Sequence, residues 1–158
     1  MAVAAVRTRG YRVPAWRRLE AFSPWQFIVI EHVARRIVAP DRSDPDIPSA
    51  DDADVAGFAD GFAARMNSRT RKDLGRFLAY VEHVAPLVAG LTSRFTRMTA
   101  KEQDDVLASI EASSNDRLRG GFDGLKSLVF MGYYRDPRTW SILGYDGPLV
   151  GRPRAGWR

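Results

Sequence analysis

The stretch from Gly121 to Pro148 most constrains what this chain can fold into, because a helical pattern gives way there to aromatic and turn residues. Up to Tyr133, apolar residues recur at offsets of three or four, as they do on one face of an α-helix. Asp136-Pro137 then predicts the end of this helix, since the residue before a proline is pushed away from the α conformation. The apolar positions of the predicted face are Phe122, Leu125, Leu128, Val129 and Tyr133.

The segment after the helix is rich in aromatic side chains that lie among glycines and a proline. Tyrosine and tryptophan bury a large area at low entropic cost and keep a polar tip for a hydrogen bond. They can therefore complete the core of a helical body or anchor a partner protein, and the sequence leaves both interpretations open. The aromatic and turn residues are Tyr134, Trp140, Gly144, Tyr145, Gly147 and Pro148.

The residues around this boundary resemble the C-terminal signature of the gluconate 2-dehydrogenase subunit 3 family. The matching positions are Gly132, Tyr133, Tyr134, Asp136, Pro137, Trp140, Leu143, Gly144, Tyr145, Gly147 and Pro148. A fainter resemblance covers Ser23-Pro24 and residues 37–41. The resemblance implies a small, helical, non-catalytic subunit that accompanies a large flavin dehydrogenase of the glucose-methanol-choline oxidoreductase type. It also implies that FAD belongs to the partner subunit and that this chain holds no cofactor.

We expect the partner-facing residues to lie mostly in the same segment, where aromatic and arginine side chains are mixed. Protein interfaces favour tyrosine, tryptophan and arginine as anchors. We predict that the chain binds the large flavoprotein subunit and stabilises it or helps it to fold. The interface candidates are Trp16, Tyr133, Tyr134, Arg135, Asp136, Pro137, Arg138, Trp140, Leu143, Gly144, Tyr145, Gly147 and Pro148.

Apolar periodicity along the whole chain predicts an all-α bundle of about six helices, with no strand and no repeat. We divide the chain into an extended N-terminal arm over residues 1–22, a helical domain over residues 23–135 and an irregular aromatic C-terminal extension over residues 136–158. The extension is expected to pack on the body or on a partner. Capping boxes predict that helices start at Ser23-Pro24 and after Thr99. Pro86 is expected to kink the third helix or to start a short helix that reaches about Phe95.

Inward faces of the second and third helices follow from the same apolar spacing. The side chains predicted to point inward are Val55, Phe58, Phe62, Met66, Leu74, Phe77, Leu78, Val81, Val84 and Ala85.

Motifs for catalysis, cofactor binding or metal binding are weak in this chain. It has no cysteine, which excludes disulfides, thiolate zinc sites and cysteine-bound iron–sulfur clusters. His32 and His83 lie far apart without a metal-binding spacing, so we interpret them as surface or cap residues. The aspartates of residues 40–53 do not match a calcium-binding loop and are interpreted as solvated. We therefore predict no catalytic, cofactor-binding or metal-binding residue here.

The net charge of +5 raises a second possibility, a stand-alone helical module that binds nucleic acid or an acidic protein surface. Five cations lie between residues 65 and 76, but acidic residues occur in the same region. We interpret the region as a mixed, solvated face, and nucleic acid is the less favoured partner. The acidic residues are Glu20, Asp60, Asp73 and Glu82.

No segment approaches the apolar length of a membrane span. Arg17-Arg18 is similar to a twin-arginine leader, but Glu20, Pro24 and Gln26 interrupt the apolar run that should follow. We therefore expect a cytoplasmic location, with export alongside the partner as the alternative.

Overall fold

The computed structural model describes residues 10–38, 44 and 46–147. Within these ranges the chain is helical and contains no strand, which confirms the predicted all-α bundle. Two other helix types also occur: a π-helix over Tyr80–Val84, and 3₁₀ helices at Phe95–Arg97 and Pro137–Leu143. The α-helices are α1 (Pro24–Ile37), α2 (Val55–Arg65), α3 (Ser68–Ala79), α4 (Ala85–Val88), α5 (Ala100–Glu111) and α6 (Asp116–Tyr134).

Both predicted capping boxes form. The Gln26 side chain accepts a hydrogen bond from the Ser23 amide at 2.8 Å, and Pro24 occupies the first helical position. At α5, the Glu102 carboxylate accepts from the Thr99 amide at 2.8 Å. These reciprocal bonds satisfy backbone donors that the first turn of a helix leaves open, so the starts of α1 and α5 follow directly from the sequence.

Helix α1 packs against α2, which packs in turn against α6, and α5 covers another side of α6. Gly132 lies at the contact between α2 and α6. A Cβ at this position would lie 3.1 Å from the Val55 Cγ1 and 3.0 Å from the Phe58 ring. A larger residue here would therefore have to displace the Val55 and Phe58 side chains by a few tenths of an ångström.

The buried face of α2 differs from the predicted one. Phe58, Phe62 and Met66 were expected to point inward, but they are only partly buried at the flank of the helix. Small residues face the core instead and let α2 approach α1 and α6 closely, while the larger side chains cover the edge of the contact. The buried residues of α2 are Val55, Ala56, Ala59, Asp60 and Ala63.

The third predicted helix, expected to continue to Ala85, changes at Tyr80 into a π-helix. A π turn inserts an extra residue and so rotates the following side chains relative to an α-helix. Val84, predicted to point inward, is consequently exposed, whereas Glu82 is fully buried. Helix α4 then holds Pro86 in its first turn and ends at Val88, well short of the predicted Phe95.

Residues 10–22 carry no regular secondary structure and lie against the helical body through two buried carboxylates. Asp60 accepts hydrogen bonds from the backbone amides of Glu20, Ala21 and Phe22 at 2.7, 3.0 and 2.7 Å. The interpretation of Asp60 as part of a solvated face is therefore wrong.

Glu82 is the second buried carboxylate, and the solvated-face interpretation is wrong for it too. It accepts from the Tyr11 hydroxyl at 2.5 Å and from the Thr96 hydroxyl at 2.7 Å. The Arg94 guanidinium lies beside it, with 3.6 Å between Arg94 Nε and Glu82 Oε1, and stacks on the Tyr11 ring. A buried charge is tolerable only when it is paired and hydrogen-bonded, and this network meets that condition while it fastens the N-terminal segment to the π turn.

Candidate partner-binding surface

The C-terminal extension begins with an ordered 3₁₀ helix rather than with the irregular chain that the sequence predicted. Asp136 is its N-cap and accepts a hydrogen bond from the Arg138 amide at 3.0 Å, and Pro137 occupies the first helical position. Thr139 is completely buried, and its hydroxyl donates to the Asp136 carbonyl at 2.8 Å. The helix ends at Gly144, whose φ of 61° is left-handed.

Both glycines of this segment have positive φ angles, where the sequence led us to expect at least one. Gly144 has a φ of 61° and Gly147 a φ of 97°. Residues with a Cβ rarely adopt this conformation, so both positions favour glycine. Pro148, the last interface candidate, lies outside the described residues.

Trp140 fastens the 3₁₀ helix to the end of α6. Its indole N–H donates to the Tyr134 carbonyl at 2.9 Å. The Tyr145 ring meets the indole edge-on with 5.2 Å between ring centroids, and the Tyr145 amide donates to the Trp140 carbonyl at 3.0 Å. These contacts position the extension against the bundle.

Tyr133 belongs to the core of the chain and not to its surface. Only 1% of the residue is exposed, and its hydroxyl donates to the Pro48 carbonyl at 2.9 Å. The phenol is satisfied internally, so a partner cannot reach it in this conformation. Tyr134 is half-buried and rests edge-on against the Tyr133 ring.

The two arginines of the segment are engaged by the chain itself. Arg138 forms an ion pair with Asp136 at 2.6 Å and donates to the Asp52 carbonyl at 3.1 Å. This hydrogen-bonded guanidinium lowers the pKa of the Asp136 carboxyl. Arg135 stacks on the Phe58 ring at 5.2 Å. Arg135 thus attaches the end of α6 to α2, and Arg138 attaches the extension to the residues before α2. Both arginines nevertheless remain exposed.

Three apolar side chains of the extension are left facing solvent. The exposed fractions are 46% for Ile142, 57% for Leu143 and 45% for Tyr145. Ile142 was not among the sequence-predicted candidates, because an isolated isoleucine gives no signal of its orientation in a 3₁₀ helix. The contiguous run of exposed side chains in residues 142–145 makes this end of the bundle the candidate partner-binding surface.

Trp16 is also strongly exposed, at 76%, and lies away from the extension in sequence. The Arg17 guanidinium stacks on its ring at 4.8 Å and forms an ion pair with Asp54 at 2.7 Å. The structure thus holds Trp16 at the surface next to the start of α2.

The two histidines occupy structural positions. His32 is half-buried, with its Nδ1 2.9 Å from the Gln103 amide nitrogen, and burial lowers its pKa. The His83 ring packs near the Trp25 ring, with 6.2 Å between centroids. Over the described ranges, no three acidic or histidine residues come together in a way that could hold a metal ion. Helices within those same ranges are too short or too polar to cross a membrane.

Comparison with known proteins adds one finding. A family model described as gluconate 2-dehydrogenase subunit 3 matches residues 24–147. The match starts at the first residue of α1 and ends in the C-terminal extension. No curated protein and no solved structure matches the chain significantly.

Proposed function

We propose that this chain, which belongs to the gluconate 2-dehydrogenase subunit 3 family, binds and stabilises the large catalytic subunit of a dehydrogenase complex. The name of the family describes an accessory subunit of such a complex. In this proposal the catalytic subunit carries FAD and performs the oxidation. The present chain contributes contacts and no catalytic residue.

The observation that carries the proposal is the exposed apolar run at the end of the bundle. Ile142, Leu143 and Tyr145 project from a segment that Thr139 and Trp140 hold in place. A surface that is already ordered loses little conformational entropy on binding, so more of the contact energy appears as affinity. Tyrosine is among the residues that supply most of the energy of typical interfaces, and the apolar side chains around it exclude water from the contact.

Stabilisation of the catalytic subunit follows from mass action. When a partner binds only the folded state of a protein, the free energy of unfolding of that protein rises. The rise is about 2.7 kcal/mol when the concentration of free partner is a hundred times the Kd. The large subunit should therefore melt at a higher temperature in the complex, without any conformational switch in the small subunit.

The test is co-expression of the tagged chain with the FAD-containing dehydrogenase subunit of its native host. We expect the two chains to co-purify with the flavin absorbance of the large subunit, and we expect that subunit to melt at a lower temperature when it is made alone. Failure of the purified subunits to associate, or equal melting temperatures with and without the small chain, would refute the proposal.

A specific feature supports the second candidate, a stand-alone module for nucleic acid or an acidic surface. Arg69, Arg71 and Lys72 are exposed on α3, and none of them forms an ion pair with another described residue. Binding of the purified chain to random duplex DNA, with an affinity that falls steeply as salt is added, would favour this candidate over the subunit role.

A further inference from the structure

A second, longer apolar surface lies between α2, α3 and α6. It is a groove of about 350 Å³ that opens on one side of the bundle. Large apolar side chains from all three helices form its walls. These are Phe62 from α2 and Met66 at its C-cap, Leu74 and Phe77 from α3, and Leu125, Leu128 and Met131 from α6.

Bare helix backbone forms part of the groove along α6. Gly120 and Gly124 both line it, and no atom lies within 4 Å of the place where either would carry a Cβ. Gly121, between them, differs because a Cβ there would be 2.6 Å from the Phe77 ring. Gly121 thus serves internal packing, whereas Gly120 and Gly124 leave room on the open side for another backbone to approach.

The groove is long as well as apolar. On α6 its lining extends from Arg117 to Met131, which at 1.5 Å per residue corresponds to about 21 Å. This length matches about four turns of a second helix and exceeds what a compact small molecule needs. Helices that pack on one another come within about 8–10 Å, axis to axis, and small residues such as glycine favour the shorter distances.

Arginine side chains lie in the lining of the groove and next to it in sequence. Arg117 lines it directly, and the exposed Arg65 and Arg69 each come one residue before a lining residue, Met66 and Thr70. Asp73 is the acidic residue of the lining, and its carboxylate is paired with Arg76 at 2.8 Å. An occupant with carboxylates beside its apolar side chains would therefore be complementary to Arg117, Arg65 and Arg69.

The groove also leads toward the surface assigned above to the catalytic subunit. Met131 lies at its end and is exposed. Tyr134 follows three residues later on α6 and accepts the hydrogen bond of the Trp140 indole. The end of the groove and the point where the C-terminal extension is attached are thus about one helical turn apart on α6.

We propose that this groove binds an amphipathic helix of the catalytic subunit, with its apolar face between α2, α3 and α6 and its flanking acidic residues against Arg117, Arg65 and Arg69. The inference rests on the proposed function, because it names where a second part of the same partner binds. It uses a known mode of recognition, in which anchors at positions i, i+3, i+4 and i+7 of a helix enter an apolar groove.

The first experiment places a photo-crosslinking amino acid at Gly124 in the purified complex, with the same amino acid at exposed Ala108 on α5 as the control. We expect irradiation at Gly124 to join the chain to a helical, acidic segment of the catalytic subunit, and the control to give no such product. Crosslinks from Gly124 to a second copy of this chain or to nucleic acid, or no crosslink to the catalytic subunit, would overturn the inference.

The second experiment fills the groove. Gly124→Leu adds a side chain into open space in the middle of α6, and Ala108→Leu adds a similar one outside the groove. We expect Gly124→Leu to weaken binding of the catalytic subunit at least about tenfold while the melting temperature of the chain stays at or above the wild-type value. Ala108→Leu should bind as the wild type does.

A charge-reversal variant keeps the test decisive if Gly124→Leu folds poorly. Arg69→Glu combined with Arg117→Glu should weaken binding at low salt, and the loss should shrink at high salt. Wild-type affinity in both groove variants would overturn the proposal that the groove binds a helix, and it would leave the proposed subunit role intact. If the wild-type chain itself fails to bind the catalytic subunit, the proposed function and this inference fall together.

Discussion

The indole N–H of Trp140 donates a 2.9 Å hydrogen bond to the carbonyl of Tyr134, and so it joins the 3₁₀ helix to the last turn of α6. This bond satisfies a carbonyl that the end of a helix would otherwise leave open. Trp140 thus holds the segment in place, while the neighbouring Leu143 and Tyr145 stay exposed.

Tyr133→Phe should affect stability and leave partner binding unchanged. The substitution removes the hydrogen bond to the Pro48 carbonyl, which remains buried, and should lower the free energy of unfolding by about 1–2 kcal/mol. Chemical denaturation followed by circular dichroism measures this loss. A stable variant that no longer binds the catalytic subunit would show instead that Tyr133 belongs to the interface.

Asp60→Ala should be strongly destabilising, because three backbone amides of the N-terminal segment lose their acceptor. Hydrogen bonds to a charged group contribute more than neutral ones, so we expect a loss of about 3 kcal/mol or more. Asp60→Asn keeps one acceptor oxygen and should lose less. Limited proteolysis should then cut near Glu20 in the alanine variant first, and equal stability of all three proteins would contradict this role.

Stability should fall at alkaline pH through Tyr11. Burial, together with the hydrogen bond to Glu82, raises the pKa of the Tyr11 phenol above its usual value of about 10. The folded chain therefore favours the neutral phenol, and this contribution is complete below about pH 10 and is lost as the pH rises through the folded-state pKa. In Tyr11→Phe the stability deficit relative to the wild type should shrink as the pH rises above about 10. A deficit that stays constant with pH would contradict the contact with Glu82.

Two glycine-to-alanine substitutions should have opposite effects. Gly144 has a φ of 61°, so Gly144→Ala should cost about 1 kcal/mol of stability. Gly120 lies in the regular part of α6 with open space around it, so Gly120→Ala should stabilise the chain by about 0.5–1 kcal/mol. Thermal melts of the two variants measure both effects. A destabilised Gly120→Ala would contradict the open space around the Gly120 Cβ position on α6.

The parts of the fold that could be predicted from the sequence are those that depend on local chemistry. The Ser23 and Thr99 capping boxes, the stop at Asp136-Pro137 and the positive φ angles of Gly144 and Gly147 all involve residues within a few positions of one another. Such interactions are visible in a linear sequence because the same residues make them in most helical proteins.

The features that the sequence did not reveal depend on distant partners. Asp60 and Glu82 were interpreted as solvated because a charged side chain in a helix usually is, and their burial depends on Phe22 and Tyr11, which are 38 and 71 residues away. The Thr96 hydroxyl, 14 residues from Glu82, also donates to this carboxylate, and apolar spacing along the helix gives no sign of that contact. The groove escaped prediction because Phe62 and Met66 fit an inward face as well as a flank.

The same distinction between local interactions and contacts with distant residues applies to the interface candidates. Aromatic composition drew attention to the C-terminal segment, but it predicted an irregular chain there and could not separate the buried Tyr133 from the exposed Leu143 and Tyr145. That separation depends on the Pro48 carbonyl and on the rotation of the 3₁₀ helix. Both are properties of the folded chain.

The most direct measurement of the central claim is the affinity of the purified chain for the FAD-containing catalytic subunit, compared between Leu143→Asp and Leu87→Asp. Both leucines are about half exposed, at 57% and 48%, so neither change should alter the fold, which circular dichroism can verify. We predict that Leu143→Asp weakens binding at least about tenfold, which is about 1.4 kcal/mol, and that Leu87→Asp leaves the Kd unchanged. Wild-type affinity in Leu143→Asp, or an equal loss in both variants, would contradict the claim that the C-terminal extension binds the catalytic subunit.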